Sequence, residues 1–199
     1  MIMPAARAAV KPAAFRVADF PCHPTQEPMP AAPVTLRQAT ARDADTIAAM
    51  HAASWAATYR GLLPDGFLDA GLADNRRVHW QEQLRGRDAD AQAVFIAEQA
   101  GQPIGFVCVK QERDHPDDVL LDNLHVLALH QGTGAGKLMV ARATDWARAR
   151  GASRLYLYAL EGNDRAIAFY ERQGWRHTGT ESDQIGGIAV QARRYERPV

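Results

Sequence analysis

One junction restricts the fold of this chain more than any other feature. The apolar-rich run VLLDNLHVLAL, Val119 to Leu129, leads into QGTGAGKLM, Gln131 to Met139. The first segment reads as a long strand. The second is a glycine-rich turn opening a helix that extends to about Arg150, where Gly151 ends it. A strand, a glycine loop and a helix in that order bring small residues to a helix N-terminus, where backbone N–H groups converge on an anion. Two familiar nucleotide loops are excluded. A P-loop needs glycine where Gln131 stands and Ser or Thr where Leu138 stands. A dinucleotide loop needs a third glycine, and the chain offers Lys137 or Met139 there.

The rest of the chain builds a mixed α/β domain around this junction. Val34 to Arg37 reads as a first strand, and Thr40 followed by Asp43 resembles a capping box opening a helix to about Tyr59. On that helix His51, Trp55 and Tyr59 recur every fourth residue and share a face. GLLPDG breaks it, and a second helix is expected around Asn75 to Leu84. VFIAEQ and PIGFVCVK form a hairpin about a Gly101-Gln102 turn. RLYLYAL is a strand after the glycine-loop helix, Asn163 to Gln173 a further helix, and WRHTGT and IAVQARRYE two closing strands around Gly186-Gly187. The expected order is β-α-α-β-β-β-α-β-α-β-β, a mostly antiparallel sheet with one parallel crossover at the glycine loop.

Composition narrows the partners. Residues 1–33 hold seven of the eleven prolines and lack periodicity, which predicts a disordered leader ahead of one domain over 34–199. Lys and Arg number 23 against 23 Asp and Glu, so the long-range field on which nucleic-acid or membrane binding relies is missing. A small-molecule partner is favoured, and a homodimer stays open. Cys22 in the leader and Cys108 inside a strand suit a reducing compartment, hence a cytoplasmic protein. No metal is required.

Two signatures resemble the GNAT superfamily of acyl-CoA-dependent N-acyltransferases, over roughly Val34 to Arg197. The loop signature is Arg or Gln, two residues, Gly, one residue, then Gly or Ala, which Gln131, Gly134 and Gly136 fit. It follows a strand ending Leu124-His125-Val126. The second is NDRAIAFYERQGW, supplying Asn163, Ala166, Phe169, Tyr170, Gly174 and Trp175. The resemblance implies binding of acetyl-CoA and transfer of its acetyl group to an amine, with the strands at Leu124–Val126 and Leu155–Ala159 splayed around the pantetheine arm. Gln131, Gly132, Thr133, Gly134, Ala135, Gly136 and Lys137 would hold the pyrophosphate. Gln131 lacks the charge of the more usual Arg. Leu124 would border the pantetheine, and an N–H at Val126 or Leu127 would stabilise the oxyanion. Asn163 would contact the pantetheine or cap its helix.

Tyr170 is the candidate acid, since a phenol of pKa about 10 is protonated at neutral pH and can donate to a departing thiolate. Asp122 is the candidate base or water-orienting group. The period of two puts it on the face of Leu124, with His125 pointing the other way. Trp55, Tyr59 and His125 are the candidate acceptor-binding residues, and the acidic run ERDHPDD could draw a cationic amine. The alternative from another class is a non-catalytic acyl-CoA sensor.

Overall fold

The computed structural model describes residues 32–86 and 91–199. The leader expected over 1–33 lies outside them, apart from its last two residues. The elements are β1 (Val34–Gln38), α1 (Ala44–Thr58), α2 (Asp65–Asp69), α3 (Leu72–Arg85), β2 (Gln92–Gln99), β3 (Gln102–Gln111), β4 (Asp118–Val126), α4 (Ala135–Ala149), β5 (Arg154–Leu160), α5 (Asp164–Glu171), β6 (Arg176–Ile185) and β7 (Ile188–Pro198). They form one seven-stranded sheet in the order β1-β2-β3-β4-β5-β7-β6. Every neighbouring pair is antiparallel except β4 with β5. The fold is the mixed α/β sheet expected.

Three details differ from the sequence reading. The β2–β3 turn is Ala100-Gly101, with φ of 51° and 74°, and Gln102 already pairs with Gln99. Two consecutive left-handed residues match the twist of a tight hairpin, which moves the turn by one position. The break at GLLPDG contains the short helix α2, entered from Pro64. The strand at Val119 stops at Val126, and Ala128–His130 forms a 3-10 turn.

Each sheet face carries its own core. On one face Met139, Val140, Ala143 and Ala147 of α4 and Ile167 and Tyr170 of α5 pack on Val107, Val109, Val119, Leu121, Leu155 and Leu157. On the other, Ile47, Met50 and Trp80 of α1 and α3 pack on Val94, Ile96, Phe106 and Cys108.

The centre of the sheet is where the ladder fails. β4 and β5 pair only through Asp118–Arg154, Val119–Leu155 and Leu120–Tyr156. On the other edge of β4, Leu121 faces Val109 and Asn123 faces Cys108, so Asp122 is an extra residue with no partner on β3. Such a bulge bends its strand and strengthens its twist. Past it β4 diverges from β5, while β5 stays paired with β7 as far as Leu160 opposite Ala192. The expected splay is present, and it begins at the bulge.

Candidate active site

A cleft of about 770 Å³ opens through this splay. Its walls come from both faces: Trp55 of α1, Tyr59 at its C-terminal cap and Arg76 of α3 on one, and Gly134, Asn163 and Tyr170 around α4 and α5 on the other.

The glycine loop meets the requirements of an anion site. Gly132 and Gly134 have φ of 87° and 88°, and a methyl group built on either would meet nothing within 4 Å. Side chains are excluded there by backbone conformation, and open space lies alongside. The first helical bond of α4 runs from the N–H of Leu138 to the carbonyl of Gly134 at 3.1 Å, so the amides of Ala135, Gly136 and Lys137 are left unspent by the helix. Gly136 has a different task. A Cβ there would lie 3.0 Å from Cζ of Phe169, so its bareness lets α5 press against the start of α4. Ala135 turns its methyl into the core at 1 % exposure and offers only its amide. Thr133 Oγ1 donates to the carbonyl of His130 at 2.7 Å. Gln131 Nε2 donates to the carbonyl of Val126 at 3.1 Å, tying the loop to the strand end. Lys137 is exposed at the cleft.

Of the two amides expected near the thioester, Leu127 is excluded. Its N–H donates to the carbonyl of Ile104 at 2.9 Å, continuing the β3–β4 ladder. Alternation along an antiparallel strand turns the preceding N–H, that of Val126, toward the splay. Leu124 directs its main chain the same way and its side chain against the α4 core.

The bulge also corrects the face of Asp122. Leu124 packs with Val119 and Leu121 on the α4 face, whereas Asp122 Oδ2 sits 2.8 Å from Lys110 Nζ on the α1–α3 face, the side His125 occupies. Asp122 and His125 are therefore neighbours rather than opposites. Asn123 Nδ2 donates to the same carboxylate oxygen at 2.8 Å.

His125 Nδ1 and Ser54 Oγ are hydrogen-bonded at 2.9 Å, and the His125 ring lies 4.7 Å from His51. Burial lowers the His125 pKa to about 4 although Asp122 pulls it up, so it is neutral at pH 7. Burial likewise lowers His79, with Arg76 and Lys110 adding to the effect. Lys110 moves upward: burial opposes its charge, but Asp122 more than offsets that.

Tyr170 is 7 % exposed, packed at 5.2 Å on Phe169 and 5.6 Å on Trp175, and it lines the cleft. Burial first, then the Tyr59 phenol, push its pKa up. Burial also raises Tyr59, against a hydrogen bond from Asn163. Asn163 caps α5 as well, its Oδ1 accepting from the Ala166 N–H at 3.2 Å.

Sequence reasoning missed Arg76, His79, Lys110 and Ser54, all of which line the cleft. Arg76, His79 and Trp80 follow the i, i+3, i+4 spacing of one helix face, a signal available on α3. The acidic run Glu112–Asp118 does not line the cleft. Glu112 bonds Tyr156 and Asp118 holds Arg154. Cys108 is buried, and burial raises its thiol pKa, which removes it as a nucleophile.

Comparison with known proteins agrees with this geometry. The model of the acetyltransferase (GNAT) family matches residues 49–175. The uncharacterized N-acetyltransferase YuaI of Bacillus subtilis (strain 168) is 25 % identical over 162 residues, covering 79 % of this chain and 88 % of that protein. The uncharacterized N-acetyltransferase Rv2669 of Mycobacterium tuberculosis (strain ATCC 25618 / H37Rv) is 30 % identical over 152 residues, covering 72 % and 90 %. Among solved structures, the PaiA N-acetyltransferase of Thermoplasma acidophilum in complex with coenzyme A superposes with a TM-score of 0.69 at 17 % identity, over 83 % of this chain and 99 % of that one. The chain belongs to the acetyltransferase (GNAT) family and is an N-acetyltransferase. The non-catalytic alternative is not supported.

Proposed function

We propose that this protein passes the acetyl group directly from acetyl-CoA to a small primary amine, the two substrates meeting inside the splay from opposite faces of the sheet. The observation that carries this reading is the failure of the β4–β5 ladder after Leu120, which leaves main-chain groups of both strands facing a cleft open to α4 on one side and α1–α3 on the other.

The unspent amides of Ala135, Gly136 and Lys137 hold the diphosphate, and main-chain groups of Leu124 and Val126 pair with the pantetheine amides. The Val126 N–H then donates to the carbonyl oxygen as it gains charge. Tyr170 gives its proton to the departing thiolate. The burial that keeps the phenol protonated also makes it a reluctant donor, so donation accompanies thiolate departure rather than preceding it.

On the other face, His125, Tyr59 and Trp55 shape the acceptor pocket. Arg76, whose charge no acid beside it balances, lowers the pKa of a nearby ammonium, which helps present the neutral amine. Asp122 accepts the remaining proton through water, its Oδ1 being the oxygen not engaged by Lys110 or Asn123. Transfer is direct because the chain's buried cysteine is inert.

A small acceptor fits the roof of the pocket. Ile185, Ile188 and Val190 of the β6–β7 hairpin pack with Leu63, Leu68, Trp55 and Tyr59, and its turn residue Gly186 lies against the Phe67 ring. This bridge narrows the room for an extended peptide. The cytoplasm is the proposed location, and no described helix is long and apolar enough to cross a membrane.

The test is Tyr170→Phe. Turnover followed by thiol release should fall about 100-fold or more while acetyl-CoA affinity holds. Unchanged turnover would remove the acid role.

A further inference from the structure

Arg76 stands in the cleft without a counter-ion. It is half-buried on α3, with its guanidinium carbon 5.0 Å from the centroid of the Trp55 ring. Nε and Nη2 donate to Asn75 Oδ1 at 3.1 and 2.5 Å. The acid whose field reaches it is Asp122, and that carboxylate is held by Lys110 at 2.8 Å. Some arginines of this chain sit directly on acids, such as Arg37 on Asp43 at 2.7 Å, Arg60 on Asp69 at 2.7 Å and Arg154 on Asp118 at 2.6 Å. Among the described residues Arg76 has no such ion pair.

A cation withdrawn from water costs free energy unless an anion or a dense set of acceptors compensates it. Trp55 supplies a flat surface for the weakly hydrated guanidinium, which holds it in place and leaves Nη1 unspent. Beyond Trp55 and Asn75 the surroundings offer it no anion of its own. Lys110 and Asp122 cancel, and burial lowers His51, His79 and His125 so that they carry little charge at pH 7. That leaves Arg76 as the unbalanced charge on the α1–α3 wall, with Asp183 of β6 across the cleft beside Val190. A purely cationic amine would leave Arg76 unpaired. An amine that brings its own anion would complete the site.

The coenzyme's diphosphate is not that anion. α3 and α4 pack against opposite faces of the sheet, which separates Arg76 from the glycine loop.

We propose that the acceptor is an amine that also carries a carboxylate, an amino acid or a molecule of that kind, and that Arg76 binds the carboxylate in a forked, charge-assisted contact. This rests on the acetyl-transfer reading above. The forked geometry suits a carboxylate and orients the acceptor with its amine toward Asp122, His125 and the splay.

The experiment uses the full chain with α-, β- and γ-amino acids and the carboxamide of each. Thiol release gives kcat and KM, and calorimetry gives acetyl-CoA affinity, for wild type, Arg76→Gln and Arg76→Lys. For at least one matched pair, wild-type kcat/KM should favour the free acid, and Arg76→Gln should shrink that preference by about 10- to 100-fold, chiefly through KM. Arg76→Lys should restore part of it, with acetyl-CoA affinity alike in all three. A preference that survives in Arg76→Gln overturns the proposal, as does equal loss on acids and carboxamides, which would mark a structural role. Wild type that binds acetyl-CoA but acetylates only amines lacking a carboxylate overturns this inference alone. Failure to bind acetyl-CoA would instead overturn the acetyl-transfer reading.

Discussion

The indole Nε1–H of Trp80 donates to Nδ1 of His51 across 3.0 Å, which fixes the proton of the imidazole on Nε2. His51 is 1 % exposed and its Nε2 has no protein partner among the described residues. Burial first, then repulsion from His125 once it is protonated, from Arg76 and from His79 once it is protonated, take its pKa down to about 2.

That relationship gives a pH dependence with a definite sign. An unfolded histidine titrates near 6.5, so below about that pH the unfolded chain binds a proton that folded His51 refuses. The stability is present above about pH 6.5 and is lost as pH falls toward 2, at up to about 1.4 kcal/mol per pH unit from this residue alone. His125, lowered to about 4, adds to the slope until pH falls through that value. Urea unfolding at neutral and mildly acidic pH should show His51→Gln with a shallower loss of stability than wild type. Equal slopes would mean that His51 takes up a proton in the folded state.

Gly136 and Phe169 give a second test. Gly136→Ala gains roughly 1 kcal/mol of helix propensity against a Cβ contact of 3.0 Å, so its net effect should be small. Gly136→Val adds two methyl groups toward the ring and should cost about 1–3 kcal/mol in urea unfolding. Phe169→Leu in the same chain should recover part of that loss. Full stability of Gly136→Val alone would show that α5 does not press on α4.

Gly105 stands opposite Val126, and a Cβ there would run into the carbonyl oxygen of His125 and come within 3.2 Å of Val126 Cα. Backbone cannot yield as a side-chain tip can. Gly105→Ala should therefore cost at least about 2 kcal/mol and displace the amide assigned to the oxyanion. Turnover per folded molecule should fall with it. Retention of both stability and turnover would count against the placement of Val126.

Much of this was legible in the residues, for reasons that can be named. The strand, loop and helix at Val119 to Arg150 carry their own punctuation, as do Asn163 and Gly174 around α5. The bulge has a signal of its own in the residues. Val119 and Leu121 alternate, and so do Leu124 and Val126, but the two runs are offset by one residue, which places an insertion between Leu121 and Leu124. One unbroken period of two places Asp122 on the wrong face. The loss of Leu127 as a donor follows from a pairing with Ile104 that only the β3–β4 register reveals. Arg76 was hidden because its meaning lies in the absence of an acid beside it, which sequence spacing does not show.

The roof of the acceptor pocket makes a further claim about size. Phe67 holds the tip of the β6–β7 hairpin at Gly186, where added bulk would strike its ring. Phe67→Ala should loosen the hairpin and lower the KM of bulky amines relative to small ones. An unchanged ranking of amines by size would show that the hairpin does not limit the acceptor.

The central claim is that acetyl-CoA in the splay gives its acetyl group to an amine arriving from the α1–α3 face. Thiol release by the purified chain, measured with acetyl-CoA alone and then with a panel of amines, tests it most directly. Release should be negligible with acetyl-CoA alone and should rise steeply and saturably with at least one amine, whose acetylated product appears in equal amount. Binding of acetyl-CoA without amine-dependent release from any member of a broad panel would contradict it.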